Sequence, residues 1–174
     1  MAVRPIVKFP DPVLLRPTRP VMKVDGEIRA LIQDMWETMY DAPGVGLAAN
    51  QIGVDLRVAV IDTTSSEEPG MRKIVLINPE VLETSGRLDE EEGCLSLPSF
   101  TEPVRRPSWA KVRALDIEGK PYVVEGGGLL ARALMHETDH LDGHVFLDRL
   151  SPLKRDLIRR KIRKKQKLGE WPEA

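Results

Sequence analysis

The sequence contains a single cysteine, Cys94, so an internal disulfide is excluded. It also lacks any apolar run approaching the roughly 20 residues that a membrane-spanning helix requires. Its first residues, MAVRPIVKFPDPVLLRP, contain no uninterrupted apolar stretch of the kind found in secretory signals. These absences predict a cytoplasmic protein with no membrane partner.

Internal repeats, linkers and low-complexity segments are also missing. A chain of 174 residues suits one domain with an ordinary core. Its 41% hydrophobic and 30% charged residues are typical of a globular protein and exclude a disordered one. We therefore expect residues 1–174 to form a single domain.

The net charge of −1 hides an asymmetry along the chain. Residues 151–169 contain nine lysines and arginines and one acid, Asp156. Helical spacing in this segment predicts a basic C-terminal helix from about Ser151 to Lys167. Its predicted buried stripe is Leu153, Leu157, Ile158 and Ile162. The excess positive charge indicates either a polyanionic partner or a solvated helical face.

The remaining elements are predicted from periodicity. An amphipathic helix starts at Asp25, and its apolar positions are Ile28, Leu31, Ile32, Met35 and Met39. Residues 56–62 and 73–81 are rich in β-branched side chains and are predicted strands, and residues 110–126 form a predicted hairpin. Because these strands are short and do not alternate regularly with helices, we predict an α+β fold with mostly antiparallel sheets.

A metal-binding site is indicated by residues 133–144, ALMHETDHLDGH. On a helix, His136 and His140 lie four residues apart on one face and can bind one metal ion. Glu137 can then reach a water molecule on that ion. Many metallopeptidases share this arrangement, but a catalytic site of the zinc type usually needs a third protein ligand.

Downstream of this helix, the candidates for a third ligand are poor. The position of the third histidine in metzincins is occupied by Phe146. On a continuous helix His144 would lie about 12 Å along the axis from His136. The acids Asp142 and Asp148 remain alternatives.

Upstream, Cys94 stands in EEEGCLSLP. A thiolate is a strong ligand for zinc or ferrous iron. A lone cysteine is more often a small buried apolar residue. Beside an HExxH helix that lacks a better third ligand, the metal-binding interpretation of Cys94 is favoured.

Three segments in this order, GVGLAANQ (44–51), GCLS (93–96) and HETDH (136–140), resemble the signature segments of the peptide deformylases. VRRP and SPLKRDLIRRKI extend the resemblance over most of the chain. That family removes the formyl group from N-formylmethionine at the start of new bacterial polypeptides and releases formate. The resemblance implies one catalytic domain, in which antiparallel sheets pack around a central metal-binding HExxH helix.

The family's functional residues correspond to positions in this chain. Its metal ligands correspond to Cys94, His136 and His140, which leave a coordination position for water. Glu137 would accept the proton of that water and deliver it to the departing amine. The side chain of Gln51 and the backbone N–H of Leu95 would stabilise the oxyanion.

The resemblance also implies a metal and a pocket. Members generally use Fe²⁺ in the cell and accept Zn²⁺, Ni²⁺ or Co²⁺. Leu129 and Ala133 precede His136 by seven and three residues and share its helical face. With the backbone of Val45 and Gly46, they are predicted to hold the methionine side chain. The alternative is that Leu129 and Ala133 only belong to the core.

The expected partners are N-formylmethionyl nascent peptides and, through the basic helix, ribosomal RNA without sequence specificity. We further hypothesise that Glu92 pairs with Arg106 and braces the cysteine loop. The chain departs from the family pattern at Met135, at Ser99-Phe100 and at Thr101, where relatives carry glutamine, a glycine-led loop and sometimes arginine. Contacts with peptide residues beyond methionine are therefore open.

Two other functions fit parts of the sequence. An ordinary HExxH metallopeptidase is disfavoured by the spacing of the downstream ligands and by the position of Cys94 in GCLS. A metal-stabilised, non-catalytic interaction domain is disfavoured because structural zinc sites normally have four protein ligands rich in cysteine. Such a domain would also have no use for Glu137.

Overall fold

The computed structural model describes residues 2–64 and 72–172. In these ranges the α-helices are α1 (Gly26–Asp41), α2 (Gly128–Leu141) and α3 (Pro152–Lys167). The strands are β1 (Gly46–Ala48), β2 (Val58–Asp62), β3 (Lys73–Ser85), β4 (Leu88–Cys94), β5 (Leu97–Arg106), β6 (Trp109–Leu115) and β7 (Pro121–Gly127). None of these helices combines the length and apolar character needed to cross a membrane.

The strands form two antiparallel sheets. The larger sheet has the order β1-β2-β3-β6-β7, and β4 pairs with β5 in a separate two-stranded sheet. The predicted α+β class with mostly antiparallel sheets is therefore confirmed. The hairpin of β6 and β7 turns near Gly119, which has a φ of 80° that glycine adopts without strain.

Helix α1 covers one part of the large sheet. Asp25 caps its first turn by accepting a hydrogen bond from the backbone N–H of Ile28. All five of the apolar residues expected on its inner face are buried. In the core, Met35 belongs to the same cluster as Leu47 of β1 and Val60 of β2. The packing of α1 fixes the chain just before β1.

Helix α2 packs on the large sheet through a second cluster. Its Ala131 and Leu134 are fully buried among residues of β2, β3, β6 and β7. The helix ends at Leu141, and Gly143 follows with a φ of 86°. A Cβ atom on Gly143 would lie 2.6 Å from the backbone carbon of Arg16, so only glycine fits this close approach. The N-terminal segment thus passes directly over the end of α2.

The small sheet was not predicted. Strand β4 has the sequence LDEEEGC, with four exposed residues at its start, so it has no alternating apolar pattern. Pairing with β5 stabilises it, and that partner is supplied by tertiary structure. The register ends with Cys94 opposite Leu97, which places Leu95 and Ser96 at the tip of a tight turn.

The prediction for the C-terminal helix was wrong in one respect. Ile158 and Ile162 are buried, but Leu153 and Leu157 are 70% and 46% exposed. At 3.6 residues per turn, Leu153 and Ile162 point about 180° apart and cannot share one stripe. The inner face of α3 is therefore narrow, and its outer face carries both leucines and cations.

Candidate active site

Three potential metal ligands, Cys94, His136 and His140, converge at one site. The Cys94 Sγ atom lies 3.2 Å from Nε2 of His140, which lies 3.1 Å from Nε2 of His136. Ligand atoms bound tetrahedrally to one zinc-like ion are about 3.3–3.6 Å apart, with metal–nitrogen bonds of about 2.0–2.1 Å and a metal–sulfur bond of about 2.3 Å. In residues 2–64 and 72–172 this is the one group of three such side chains close enough to hold an ion.

Local structure explains how the three side chains meet. His136 and His140 lie one turn apart on α2, and Cys94 lies at the end of β4. The side-chain amide of Asn50 donates a 2.6 Å hydrogen bond to the backbone carbonyl of His140. Burial lowers the pKa of His140 well below its usual range, which favours the neutral imidazole that metal binding requires.

A buried carboxylate orients the other histidine. Glu92 Oε2 lies 2.6 Å from Nδ1 of His136, and Glu92 accepts hydrogen bonds from Arg106 and Arg132. Burial alone would raise the pKa of Glu92, but the hydrogen bonds from His136 and Arg106 hold it well below its usual range. Such a partner fixes the ring orientation of a metal-binding histidine.

The hypothesised contact between Glu92 and Arg106 is present, at 2.7 and 3.1 Å. The contacts from Glu92 to His136 and Arg132 were missed. Asp139, inside the HETDH segment, was also missed, and it accepts hydrogen bonds from Arg106 and from Arg149. In the sequence, Asp139 was visible only as an acidic residue within a helix. The structure shows that it is buried.

Glu137 is buried beside the ligands, with 4% of its surface exposed. Its Oε1 atom has no hydrogen-bond partner among the described residues. Burial raises the pKa of Glu137 to about 7. An unpaired buried carboxylate is costly, so this atom fits a site completed by water and an ion.

Gly46 makes room for this carboxylate. A Cβ atom at position 46 would lie 2.5 Å from Oε2 of Glu137 and 2.9 Å from its carboxyl carbon. Any larger residue would therefore displace Glu137. This close approach of β1 to α2 explains why the second glycine of the GVGLAANQ segment, Gly46, is required.

Gln51 faces the ligand cluster with a fixed amide orientation. Its Oε1 accepts a 3.0 Å hydrogen bond from the backbone N–H of Ala48. The Nε2 group is thereby directed to Oγ of Ser96 at 3.2 Å and to Sγ of Cys94 at 3.7 Å. Gln51 thus presents a neutral donor next to the potential metal site.

A cavity of about 640 Å³ opens onto this group, a size within the usual range for ligand pockets. It is lined by nine of the ten predicted site residues: Val45, Gly46, Gln51, Cys94, Leu95, Leu129, Ala133, His136 and Glu137. The tenth, His140, is fully buried. Leu129 and Ala133 therefore face the cavity.

The alternative downstream ligands lie elsewhere. His144 is exposed and lies 3.1 Å from Asp148. Asp142 pairs with Arg57 at 2.7 Å. None of these side chains belongs to the ligand group.

Two nitrogens and one sulfur beside a buried carboxylate, at the wall of an open cavity, are the arrangement of a metal-dependent hydrolase. The model of the polypeptide deformylase family matches residues 3–156. The chain is 54% identical to a peptide deformylase of Acidobacterium capsulatum, over 98% of this chain and 100% of that protein. The chain belongs to the peptide deformylase family, whose members are metal-dependent enzymes.

Solved structures of peptide deformylases have the same fold as this chain. A peptide deformylase from Legionella pneumophila is 47% identical and superposes with a TM-score of 0.87, over 97% of this chain and 98% of that one. A peptide deformylase from Ehrlichia chaffeensis, solved in complex with actinonin, is 40% identical with a TM-score of 0.89, over 95% and 98% of the two chains.

Proposed function

We propose that this protein removes the formyl group from the N-terminal formylmethionine of nascent polypeptides in the cytoplasm, and that residues 1–174 act as one catalytic domain. The observation that carries the proposal is the convergence of Cys94, His136 and His140 on a cavity that also contains Glu137 and Gln51. Membership of the deformylase family supplies the reaction.

Cys94, His136 and His140 would hold one divalent ion, and Fe²⁺ is the proposed occupant in the cell. The donor set suits it, since imidazole and thiolate both bind ferrous iron. The unpaired Oε1 of Glu137 supports the fit. When bound, the ion would lower the pKa of a water molecule towards neutrality.

Glu137 would move the proton in this reaction. Its carboxylate accepts a proton from the attacking water and later delivers it to the nitrogen of methionine as the C–N bond breaks. A pKa raised towards neutrality by burial suits a group that must both accept and donate near pH 7.

Gln51 and Leu95 would stabilise the charge on the formyl oxygen. The Gln51 amide already points its donor group at the site, because its own oxygen is held by Ala48. Leu95 lies at the tip of the turn after Cys94 and lines the cavity, where its backbone N–H can be the second donor. Donors that are fixed in advance are effective because they need no reorganisation during the reaction.

Val45, Gly46, Leu129 and Ala133 would receive the methionine side chain. Their positions on the cavity wall support this assignment. Strand β1 is the terminal strand of the large sheet, so an extended peptide could pair with its outer edge as an added strand.

The proposed substrate distinguishes this enzyme from an ordinary HExxH peptidase. Metal-loaded protein prepared without oxygen should release formate from formyl-Met-Ala and should not cleave the Met-Ala bond. An unformylated peptide of the same sequence is the matched control. Cleavage of internal amide bonds without formate release would contradict the proposal and favour the peptidase.

We also propose that α3 binds the ribosome through phosphate contacts. Arg163, Lys164 and Lys167 are exposed on its last turns. Such binding should weaken steeply with salt, because each phosphate contact releases counterions.

Deletion of residues 163–174 is a poor test of this binding, because Trp171 is buried in the core. Changing Arg163, Lys164 and Lys167 to glutamine keeps that contact. This variant should hydrolyse formyl peptides normally, bind ribosomes less well at low salt and depend less steeply on salt. The matched control changes three exposed cations elsewhere, Arg16, Lys23 and Arg87. Equal ribosome binding by the tail variant, the control and the unchanged protein across a salt titration would refute the proposal.

A further inference from the structure

Phe100 lines the cavity from an element that carries none of the residues proposed to bind methionine. It lies on β5, whereas Leu129 and Ala133 lie on α2 and Val45 directly precedes β1. Phe100 also packs on a different core cluster, together with Cys94 and Leu97. One wall of the cavity therefore has no assigned role.

The C-terminal residues hold Phe100 in this position. The ring of Trp171 lies 5.9 Å from that of Phe100, at an angle of 49° between the planes. Trp171 is 8% exposed, and its Nε1–H donates a 2.7 Å hydrogen bond to the carbonyl of Phe9. The ammonium group of Lys165 lies 5.8 Å from the Phe100 ring centre, within cation–π range.

The chemistry of the substrate limits what this wall can contact. The formyl carbon carries only a hydrogen besides its oxygen and nitrogen, so the substrate does not extend beyond it. Any side chain that enters the cavity belongs to methionine or to a residue after it. A wall that carries no assigned methionine contact is therefore available to the residues that follow methionine.

We propose that Phe100 contacts the side chain of the residue after formylmethionine and favours an aromatic one, and that Trp171 is a positioning residue for Phe100. This inference rests on the proposed function. Aromatic rings in contact attract each other beyond their burial, which corresponds to roughly twofold to tenfold in rate when the contact is made in the transition state. Trp171, which follows α3 in the chain, thereby takes part in substrate selection.

The test compares kcat/KM for two peptides, formyl-Met-Phe amide and formyl-Met-Ala amide. The metal-loaded protein should prefer the phenylalanine peptide by roughly twofold to tenfold. Phe100→Ala should bring the ratio close to one, chiefly through KM for the phenylalanine peptide. Phe100→Leu keeps an apolar core contact without the ring, and it should lower the ratio as well.

Trp171→Ala should lower the same ratio, although Trp171 is not assigned a substrate contact. Trp171→Phe keeps an aromatic ring and should retain most of the preference for the phenylalanine peptide. The matched control is Leu168→Ala, since Leu168 is an exposed apolar residue of the same segment. A ratio of two peptides cancels any general loss of folded enzyme, which would slow both equally.

Each outcome bears on a different statement. A ratio unchanged by Phe100→Ala and Phe100→Leu would overturn the Phe100 contact. A ratio that changes with Phe100 but not with either Trp171 variant would overturn the positioning role. Failure of the unchanged protein to release formate from either peptide would overturn the proposed function itself.

Discussion

Glu137→Gln is expected to retain its metal and to lose turnover by roughly 10²–10⁴-fold, the usual contribution of a general acid–base group. The three ligand side chains are untouched, and glutamine has nearly the volume of glutamate, so Gly46 still accommodates it. What disappears is the group that carries the proton from water to the leaving amine.

The measurement pairs the metal content of the purified variant with its rate on formyl-Met-Ala. Glu125→Gln on β7 is the matched control, since Glu125 is exposed and lies outside the cavity lining. It should behave like the unchanged protein. Near-normal turnover by a metal-replete Glu137→Gln variant would remove Glu137 from the mechanism.

Cys94→Ser is expected to have the second large effect, a loss of metal affinity. Even the loss of a residue that only orients a metal ligand typically costs 10–100-fold in affinity, so the loss of a thiolate ligand should cost at least about 100-fold. A serine hydroxyl remains protonated near neutral pH and is a poor replacement. Cys94→Asp supplies an anionic oxygen and should retain more metal than Cys94→Ser, with altered activity.

Metal content after dialysis against a graded chelator series, measured beside the rate, tests this ranking. The unchanged protein should hold its ion longest, followed by Cys94→Asp and then Cys94→Ser. If metal content and rate are the same in all three proteins, Cys94 is not a ligand.

The ligand group could be predicted because its signal is local. His136 and His140 share a helical face whatever surrounds the helix, and the fold places Cys94 next to them. The partners of His136 could not be chosen in the same way. Glu92 was expected to pair with Arg106, but nothing in the run of three glutamates indicates a contact with His136, and it is the pairing of β4 with β5 that buries Glu92 beside both.

Elements with a clear apolar or β-branched pattern were predicted, and those without such a pattern were not. Helix α1 has a regular apolar face and lies where the sequence indicates. Strand β4 is acidic and becomes a strand only through β5. Trp171 follows the basic helix, and its burial depends on Phe9, which is 162 positions away in the chain.

The most direct test of the central claim is a metal titration of formate release. Protein stripped of metal would receive Fe²⁺ in increments without oxygen, and formate from formyl-Met-Ala would be measured at each step. The proposed site predicts no release without metal and a linear rise that ends at one ion per chain. Formate release that is independent of metal would contradict the proposed site. The same rise in formate release for Cys94→Ser and the unchanged protein, at low metal occupancy, would contradict it as well.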